Sequence, residues 1–498
     1  ALDDADADAT QLPPEGAVSL GFGERRAEIG RQLAQAPARE GLLPIDDPAL
    51  LDEVTGLVEW PNVLVCRFEP EYLAVPQECL VLTMKANQKY FPLLTAAGGL
   101  SNVFLVVANI RPDDPSAIVE GNERVVRPRL ADAKFFYDQD RRQPLTARLA
   151  GLAKVVYHGK LGTQAERVER VRAIARAIVE ALPGAADPAA FAAEVDLAAQ
   201  LAKADLLTDM VGEFPELQGI MGAYYARHDG LPAAVADAIE DHYKPRFAGD
   251  ALPRGAVGRV VALADKLETL AGMFGIGQLP TGDRDPFALR RHAFGVVRLL
   301  VEERLPLSVP ALVSKAFGAF GPAHGQAQAE LLRFLDDRLA GYLREQGAAV
   351  PEVDAVIALH PDRWDDVPAR LAAVREFARL PEAPALAAAN KRVANILRKS
   401  EAAAGALVDP ALYVEPAERE LDAALRAATA AADPLYERGD FAASLQALAA
   451  LKAPVDAYFD RVMVNADDPR LRANRLALLA RLHRALNRVA DLSLLSRG

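Results

Sequence analysis

Two textures of apolar spacing divide the chain. Between residues 63 and 110 the apolar positions come in short β-rich runs, at 63–68, 79–83 and 103–107. The turn Ala97-Gly98-Gly99 separates Tyr90-Phe91-Pro92-Leu93-Leu94 from the last run, which is a hairpin signal. Pro-punctuated helical pieces, 24–34 and 48–58, precede them. This pattern predicts an antiparallel α+β module rather than a parallel βαβ array. After about residue 150 the apolar positions recur at helical spacing. Residues 168–182 are periodic and stop at Pro183-Gly184, and helices are predicted over 190–226, 232–243 and 255–274. A long loop over 275–286 precedes a helix from Phe287, residues 306–390 give helices broken by prolines, and a last helical block begins at Ala387. The predicted fold is multidomain and mainly α. An N-terminal α+β module with antiparallel strands occupies 1–150, a helical domain 151–345, a helical linker 346–386 and a C-terminal helical bundle 387–498.

Charge adds to this picture in the last thirty residues. Asp468-Pro469-Arg470 reads as a capped helix start. At about 100° per residue, Leu476, Leu479, Leu482, Leu486 and Val489 share one face, and Arg481, Arg484 and Arg488 lie opposite. Residues 470–498 hold seven arginines against one acid, Asp491, in a chain of net charge −12. A local cationic surface on an acidic protein points to a polyanionic partner for that surface, although a solvated helix face explains the same run. With 498 residues, 51% hydrophobic and 25% charged, the chain can bury several cores. It has no run of about twenty apolar residues to span a membrane, and its acidic start, Ala1-Leu2-Asp3-Asp4-Ala5-Asp6, is unlike a secretory signal. Cys66 and Cys79 form no C-x-x-C pair, so neither a disulfide framework nor a thiolate zinc site is expected, and a reducing, cytoplasmic setting fits.

Three segments carry candidate chemistry. Leu206-Leu207-Thr208-Asp209-Met210-Val211 and Val261-Ala262-Leu263-Ala264-Asp265-Lys266-Leu267 resemble two blocks of the HD phosphohydrolase superfamily. That resemblance implies a His-Asp pair in the first block, a lone Asp in the second and a further upstream His, which together bind a divalent metal. Here the pair reads Thr208-Asp209, and the upstream stretch Glu166-Arg167-Val168 holds no His. Two carboxylates without imidazoles make a weak transition-metal site. The expectation is an HD-like helical domain over 151–345 with degenerate metal positions, Thr208, Asp209 and Asp265, and no metal. The alternative is a metal-dependent HD-type phosphohydrolase using Asp209, Asp265 and a recruited His228 or His242; the literal pair His228-Asp229 reads as a loop before Gly230-Leu231-Pro232.

The second segment, residues 121–137, interleaves the cations Arg124, Arg127, Arg129 and Lys134 with Phe135, Phe136 and Tyr137. Single-stranded RNA is commonly held by such a mix of phosphate-facing cations and stacking rings. An amphipathic helix with both phenylalanines in the core accounts for it equally well. The third segment is the C-terminal block, which opens with Ala389-Asn390-Lys391-Arg392 and closes with the arginine-rich helix. Phosphate-loop, H-x-G-H and K-M-S-K-S nucleotide signatures are absent, as are G-x-S-x-G and H-E-x-x-H, and Gly21-Phe22-Gly23-Glu24 is too short a glycine pattern to count. Nothing in this set activates an acyl group.

Together these segments resemble the β subunit of bacterial glycyl-tRNA synthetase, from about Glu59 to the end. The blocks that carry the resemblance are Val75-Pro76-Gln77-Glu78-Cys79-Leu80 leading to Gln88-Lys89-Tyr90-Phe91, and Gly121-Asn122-Glu123-Arg124 through Phe136. Lys203-Ala204-Asp205-Leu206-Leu207-Thr208-Asp209 with Glu213-Phe214-Pro215-Glu216-Leu217, Ala264-Asp265-Lys266-Leu267 before the 275–286 loop, and Asp468 to Leu479 complete them. The last block also resembles the helical anticodon-binding domain of arginyl-tRNA synthetase. The resemblance implies the tRNA-binding subunit of a heterotetrameric (α2β2) ligase. Such a subunit recognises and positions tRNA(Gly), while a separate α subunit uses ATP and Mg to form glycyl-adenylate and transfers the glycine. It implies no cofactor and no catalytic residue in this chain, and neither a membrane nor DNA as partner. The family's further N-terminal region, with a Gly-Thr-Glu-Glu-Leu-Pro-Pro-like block, is not found, so an N-terminally shortened chain is expected. Glycine anticodons share two cytosines, whose edges offer an amino donor and ring acceptors. The expected anticodon contacts are Arg472, Asn474 and Arg475, with Lys391 and Arg392 on phosphates; capping and bracing the bundle is the other role open to Asn474 and Arg475. Arg124, Arg127, Arg129 and Lys134 are a second choice, for the tRNA backbone.

Overall fold

The computed structural model describes residues 18–19, 21–400 and 407–496, so the acidic start lies outside the described residues. The chain forms two compact units, 1–155 with 201–240, and 156–200 with 241–498.

In the first unit β1 (Leu43–Pro44), β2 (Asn62–Arg67), β3 (Phe91–Leu94) and β4 (Leu100–Ala108) make one antiparallel sheet in the order β1-β3-β4-β2. The hairpin turns where the sequence predicts it. Thr95 N–H donates to Gly99 O at 2.8 Å, and Gly98 takes a φ of 82°, a region that glycine enters without steric cost. Phe91, Leu93, Val103 and Leu105 meet Ile29 and Leu33 of α1 (Phe22–Arg39) and Leu50 and Val54 of α2 (Pro48–Leu57) in one core. Strand and helix periods thus converge on the same apolar layer.

Residues 79–83 are helical rather than a strand. They belong to α3 (Gln77–Gln88), which buries Cys79, Leu80, Thr83 and Met84 at helical spacing. A short apolar run suits either a strand or a buried helix; Pro76 before it and Glu78 in its first turn favour the helix. α4 (Ser116–Asp140) carries the basic aromatic segment on a single 25-residue helix. The predicted 190–226 helix is also broken, into Pro188–Leu201, Asp209–Glu213 and Ile220–His228 with 3-10 turns between them. Thr208 caps a new start by accepting from Val211 N–H at 3.3 Å, and Gly219 turns the chain at a φ of 83°. The buried Asp140 carboxylate then fixes that start, accepting from Asp209 N–H at 2.8 Å, Met210 N–H at 3.0 Å and Tyr225 O–H at 2.7 Å.

Among its described residues the second unit is helical apart from a two-stranded ribbon, Val156–His158 with Gly162–Thr163, and two isolated bridges. α5 (Gln164–Ala181) starts at a capping box of Thr163 and Glu166 and stops before Pro183-Gly184, as predicted. It packs on α6 (Ala256–Gly275), which is buried from Val257 to Phe274, the signature of a central helix. The C-terminal bundle comprises α7 (Ala383–Arg398), α8 (Pro416–Glu437), α9 (Phe441–Leu448), α10 (Lys452–Arg461) and α11 (Pro469–Leu486). Leu476, Leu479, Leu482, Leu486 and Val489 are all buried, so the face predicted for the last helix is the observed one. Asp468 caps it through Arg470 N–H at 2.7 Å. The 346–386 stretch folds onto the bundle: Asp491 N–H donates to Ala355 O at 2.7 Å, and Arg370 donates to Arg488 O at 3.2 Å and Val489 O at 3.1 Å. Among the described residues no helix is long and apolar enough to cross a membrane.

Candidate nucleic-acid interface

α7 presents Lys391, Arg392 and Asn395 on an exposed face, and Lys399 follows at its C-cap. With Asn465, from the loop between α10 and α11, they line a polar pocket of about 520 Å³. The Arg392 guanidinium lies over the Phe459 ring, 4.2 Å from its centroid, which orients the arginine without neutralising it. Arg472 is exposed and donates to Ala466 O at 3.3 Å, so it is tied to the same loop as Asn465. The structure therefore brings Lys391 and Arg392 together in one cationic groove, and links Arg472 to it through residues 465–466.

Asn474 and Arg475 are buried instead, at 4% and 6% exposure. Asn474 exchanges two hydrogen bonds with the Asp409 backbone, at 2.7 and 3.0 Å. Arg475 donates to both Glu418 oxygens, at 3.0 and 3.4 Å, and to Met463 O at 2.8 Å. Burial works against the Glu418 charge, but Arg475 and the N–H groups of Glu415 and Val414 outweigh it and hold the carboxyl below its ordinary range. The bond to Glu418 likewise raises the Arg475 guanidinium further above its already high value. Both side chains are turned to partners inside the bundle rather than to open surface. The predicted arginine face of α11 is also partly spent within the fold. Arg481 pairs with Asp422 at 2.9 Å, and Arg488 pairs with Asp433 at 2.6 Å while lying over Tyr436. Arg470, Arg472 and Arg484 stay exposed without ion pairs among the described residues.

In the first unit the second-choice cations share α4 but differ in state. Arg124 and Arg129 are exposed and free of ion pairs among the described residues. Arg127 pairs with Glu69 at 2.6 Å and Lys134 with Asp138 at 2.6 Å. Phe135 is 57% exposed, so it is not the core residue that a simple amphipathic reading makes it.

The sequence model of the glycyl-tRNA synthetase beta subunit matches residues 2–358, and that of the DALR anticodon binding domain matches residues 386–493. The chain belongs to the glycyl-tRNA synthetase β-subunit family. Glycine–tRNA ligase beta subunits of Leptothrix cholodnii, Thiobacillus denitrificans and Delftia acidovorans are 67%, 66% and 65% identical to it. Each alignment covers 99% of this chain and 70% of the relative. The match starts at residue 2, well before Glu59, where the resemblance read from the sequence begins. The chain is thus an aminoacyl-tRNA synthetase subunit with an anticodon-binding domain, and the cationic groove lies within the matched 386–493 segment.

The degenerate metal positions have structural partners in this synthetase subunit. Thr208 is the N-cap described above, and its hydroxyl donates to Asp205 O at 2.6 Å. Asp209 is an exposed first-turn residue of the helix that Thr208 caps. Both belong to the first unit, and Asp265 to the second. There the Arg167 guanidinium donates to Asp265 at 3.1 Å, to Glu268 at 3.1 Å and to Thr269 at 2.9 Å, and lies over Tyr157 at 4.4 Å. Burial disfavours its charge, but Asp265, Tyr157 and Glu268 raise its pKa above the ordinary arginine value. An internal cation meets the carboxylate that a metal would need, and no group of three His, Cys, Asp or Glu suited to a metal occurs among the described residues. The donor set does not fit a metal.

Sequence reasoning missed Asn395, Lys399 and Asn465 as groove residues, and Phe459 as the ring beneath Arg392. Lys399 follows Lys391 by eight residues and Asn395 by four on the same helix, a spacing that places all three on one face. Nothing in the sequence places Asn465 beside them.

Proposed function

We propose that this β subunit grips tRNA(Gly) through its C-terminal bundle and positions it, while a separate α subunit forms glycyl-adenylate from ATP with Mg and transfers the glycine. The chain itself holds no cofactor, and its partners are the α subunit, in an α2β2 assembly, and tRNA(Gly) in the cytoplasm rather than DNA or a membrane. The observation that carries this reading is the groove of Lys391, Arg392, Lys399 and Asn465 inside the anticodon-binding domain of a chain with net charge −12. Cations gathered there attract a polyanion to that surface while the rest of the molecule repels it. Lys391, Arg392 and Arg472 supply phosphate contacts, and Asn474 and Arg475 brace the bundle. Arg124 and Arg129 are a second backbone contact on α4. A gel shift of the chain with tRNA(Gly) and an anticodon-swapped control, with and without α, tests this. A shift that favours tRNA(Gly) supports it; no shift even with α present, or equal shifts for both RNAs, refutes it.

A further inference from the structure

Residues 462–468 have a feature that electrostatics alone leaves unexplained. Val462 and Val464 are buried, while Met463 between them is 74% exposed. Extended backbone puts successive side chains on opposite sides, and Val462 is extended, so the two valines anchor the loop and turn Met463 outward. The loop is also held at two carbonyls: Met463 O by Arg475 at 2.8 Å and Ala466 O by Arg472 at 3.3 Å. Glu418, the partner of Arg475, also accepts from Val414 N–H at 2.9 Å, and Val414 is itself 56% exposed. One buried ion pair therefore fixes two segments that each display an apolar side chain. Asn465, between the two held carbonyls, lines the cationic groove beside Lys391, Arg392 and Lys399, and its amide has no hydrogen bond among the described residues.

We propose that the 462–468 loop is the base-contacting element of this interface. Met463 covers the face of one unstacked base, and the Asn465 amide pairs with the Watson–Crick edge of a neighbouring base. Arg475 is a positioning residue that holds the loop and touches no RNA. The inference rests on the proposed tRNA binding and deepens it. The occupant follows from complementarity inside an anticodon-binding domain: a polyanion with exposed apolar faces satisfies the cations and Met463 together, and single-stranded nucleic acid is such a ligand. A carboxamide offers one acceptor and one donor side by side, which matches the amino group and ring nitrogen of cytosine.

The test is a fluorescence titration of tRNA(Gly) and an anticodon-swapped tRNA with the full chain and α, across salt, for Met463→Ala, Asn465→Ala, Arg475→Ala and Arg392→Ala. Met463→Ala and Asn465→Ala replace exposed side chains, and an unchanged melting temperature checks their fold. Each weakens tRNA(Gly) binding by about tenfold, in the range seen for loss of one stacked base, and narrows its advantage over the swapped tRNA, with the salt slope unchanged. Arg392→Ala weakens both tRNAs alike and lowers the slope by about 0.7. Arg475→Ala reduces discrimination without changing the slope; a phosphate-contacting arginine would lower it. Retained affinity and discrimination in both Met463→Ala and Asn465→Ala overturns the loop assignment while leaving tRNA binding intact. Failure of the unaltered chain to bind tRNA(Gly) overturns both.

Discussion

Replacing Arg167 by Met removes a buried cation from the second unit while keeping most of its volume. Three bonds go, to Asp265, Glu268 and Thr269, along with the contact over Tyr157. Glu268 is completely buried and keeps Arg170 at 2.8 Å, whereas Asp265 loses a guanidinium at 3.1 Å. Deleting one member of a buried ion pair costs about 3–5 kcal/mol, chiefly because the partner charge stays behind. The surviving Glu268–Arg170 pair places this case toward the lower end, about 3 kcal/mol. At about 2–4 °C per kcal/mol for a domain of this size, the transition containing α6 falls by about 6–12 °C in a calorimetric melt. A fall below about 2 °C refutes the reasoning that this arginine balances buried carboxylates.

Asp205 gives a pH prediction. Burial pushes its carboxyl up to about 6, against the N–H groups of Gly219 and Gly222 that favour its charge. Its folded pKa exceeds the ordinary 3.8, so the folded state binds the extra proton, and stability falls as pH rises from 4 through 6 by up to about 3 kcal/mol. Asp205→Asn abolishes that component; a stability difference between the two proteins that stays constant from pH 5 to 7.5 contradicts it. Glu418 has the opposite sign, since its folded carboxyl lies below the ordinary 4.5. Arg475→Met therefore costs about 3 kcal/mol near neutrality, and the cost shrinks as acid protonates Glu418; a denaturation series showing the same cost at about pH 4 and 7 contradicts the assignment. If Lys391, Arg392, Lys399 and Arg472 each meet a phosphate, tRNA affinity falls with salt on a log–log slope of magnitude about 3. A flat titration removes the electrostatic part of the account.

The sequence made the last helix legible because its cap and five apolar positions follow helical spacing without interruption. Its buried stripe is nonetheless wider than that spacing shows. Residues 474–479 are all buried because α11 packs against both α7 and α8, and Asn474 and Arg475 fall inside the enlarged stripe. The partners of Arg475 and Arg481, Glu418 and Asp422, lie 57 and 59 residues away in sequence, and no local pattern announces such pairs. The β3–β4 hairpin was readable from its glycine turn. Residues 79–83 misled because five apolar or small residues fit either a strand or one face of a buried helix. The break at 208–219 depends on a cap and a positive-φ glycine, which a search for apolar period passes over. The departure from the metal-binding pattern was visible as missing histidines; that Arg167 meets Asp265 was not.

The central claim divides labour between two chains, and a reconstituted glycylation assay tests it most directly. Purified chain, purified α and their mixture are each given glycine, ATP, Mg and tRNA(Gly). The account predicts glycyl-tRNA from the mixture and none from this chain alone. Glycyl-tRNA formed by this chain in the absence of α contradicts it.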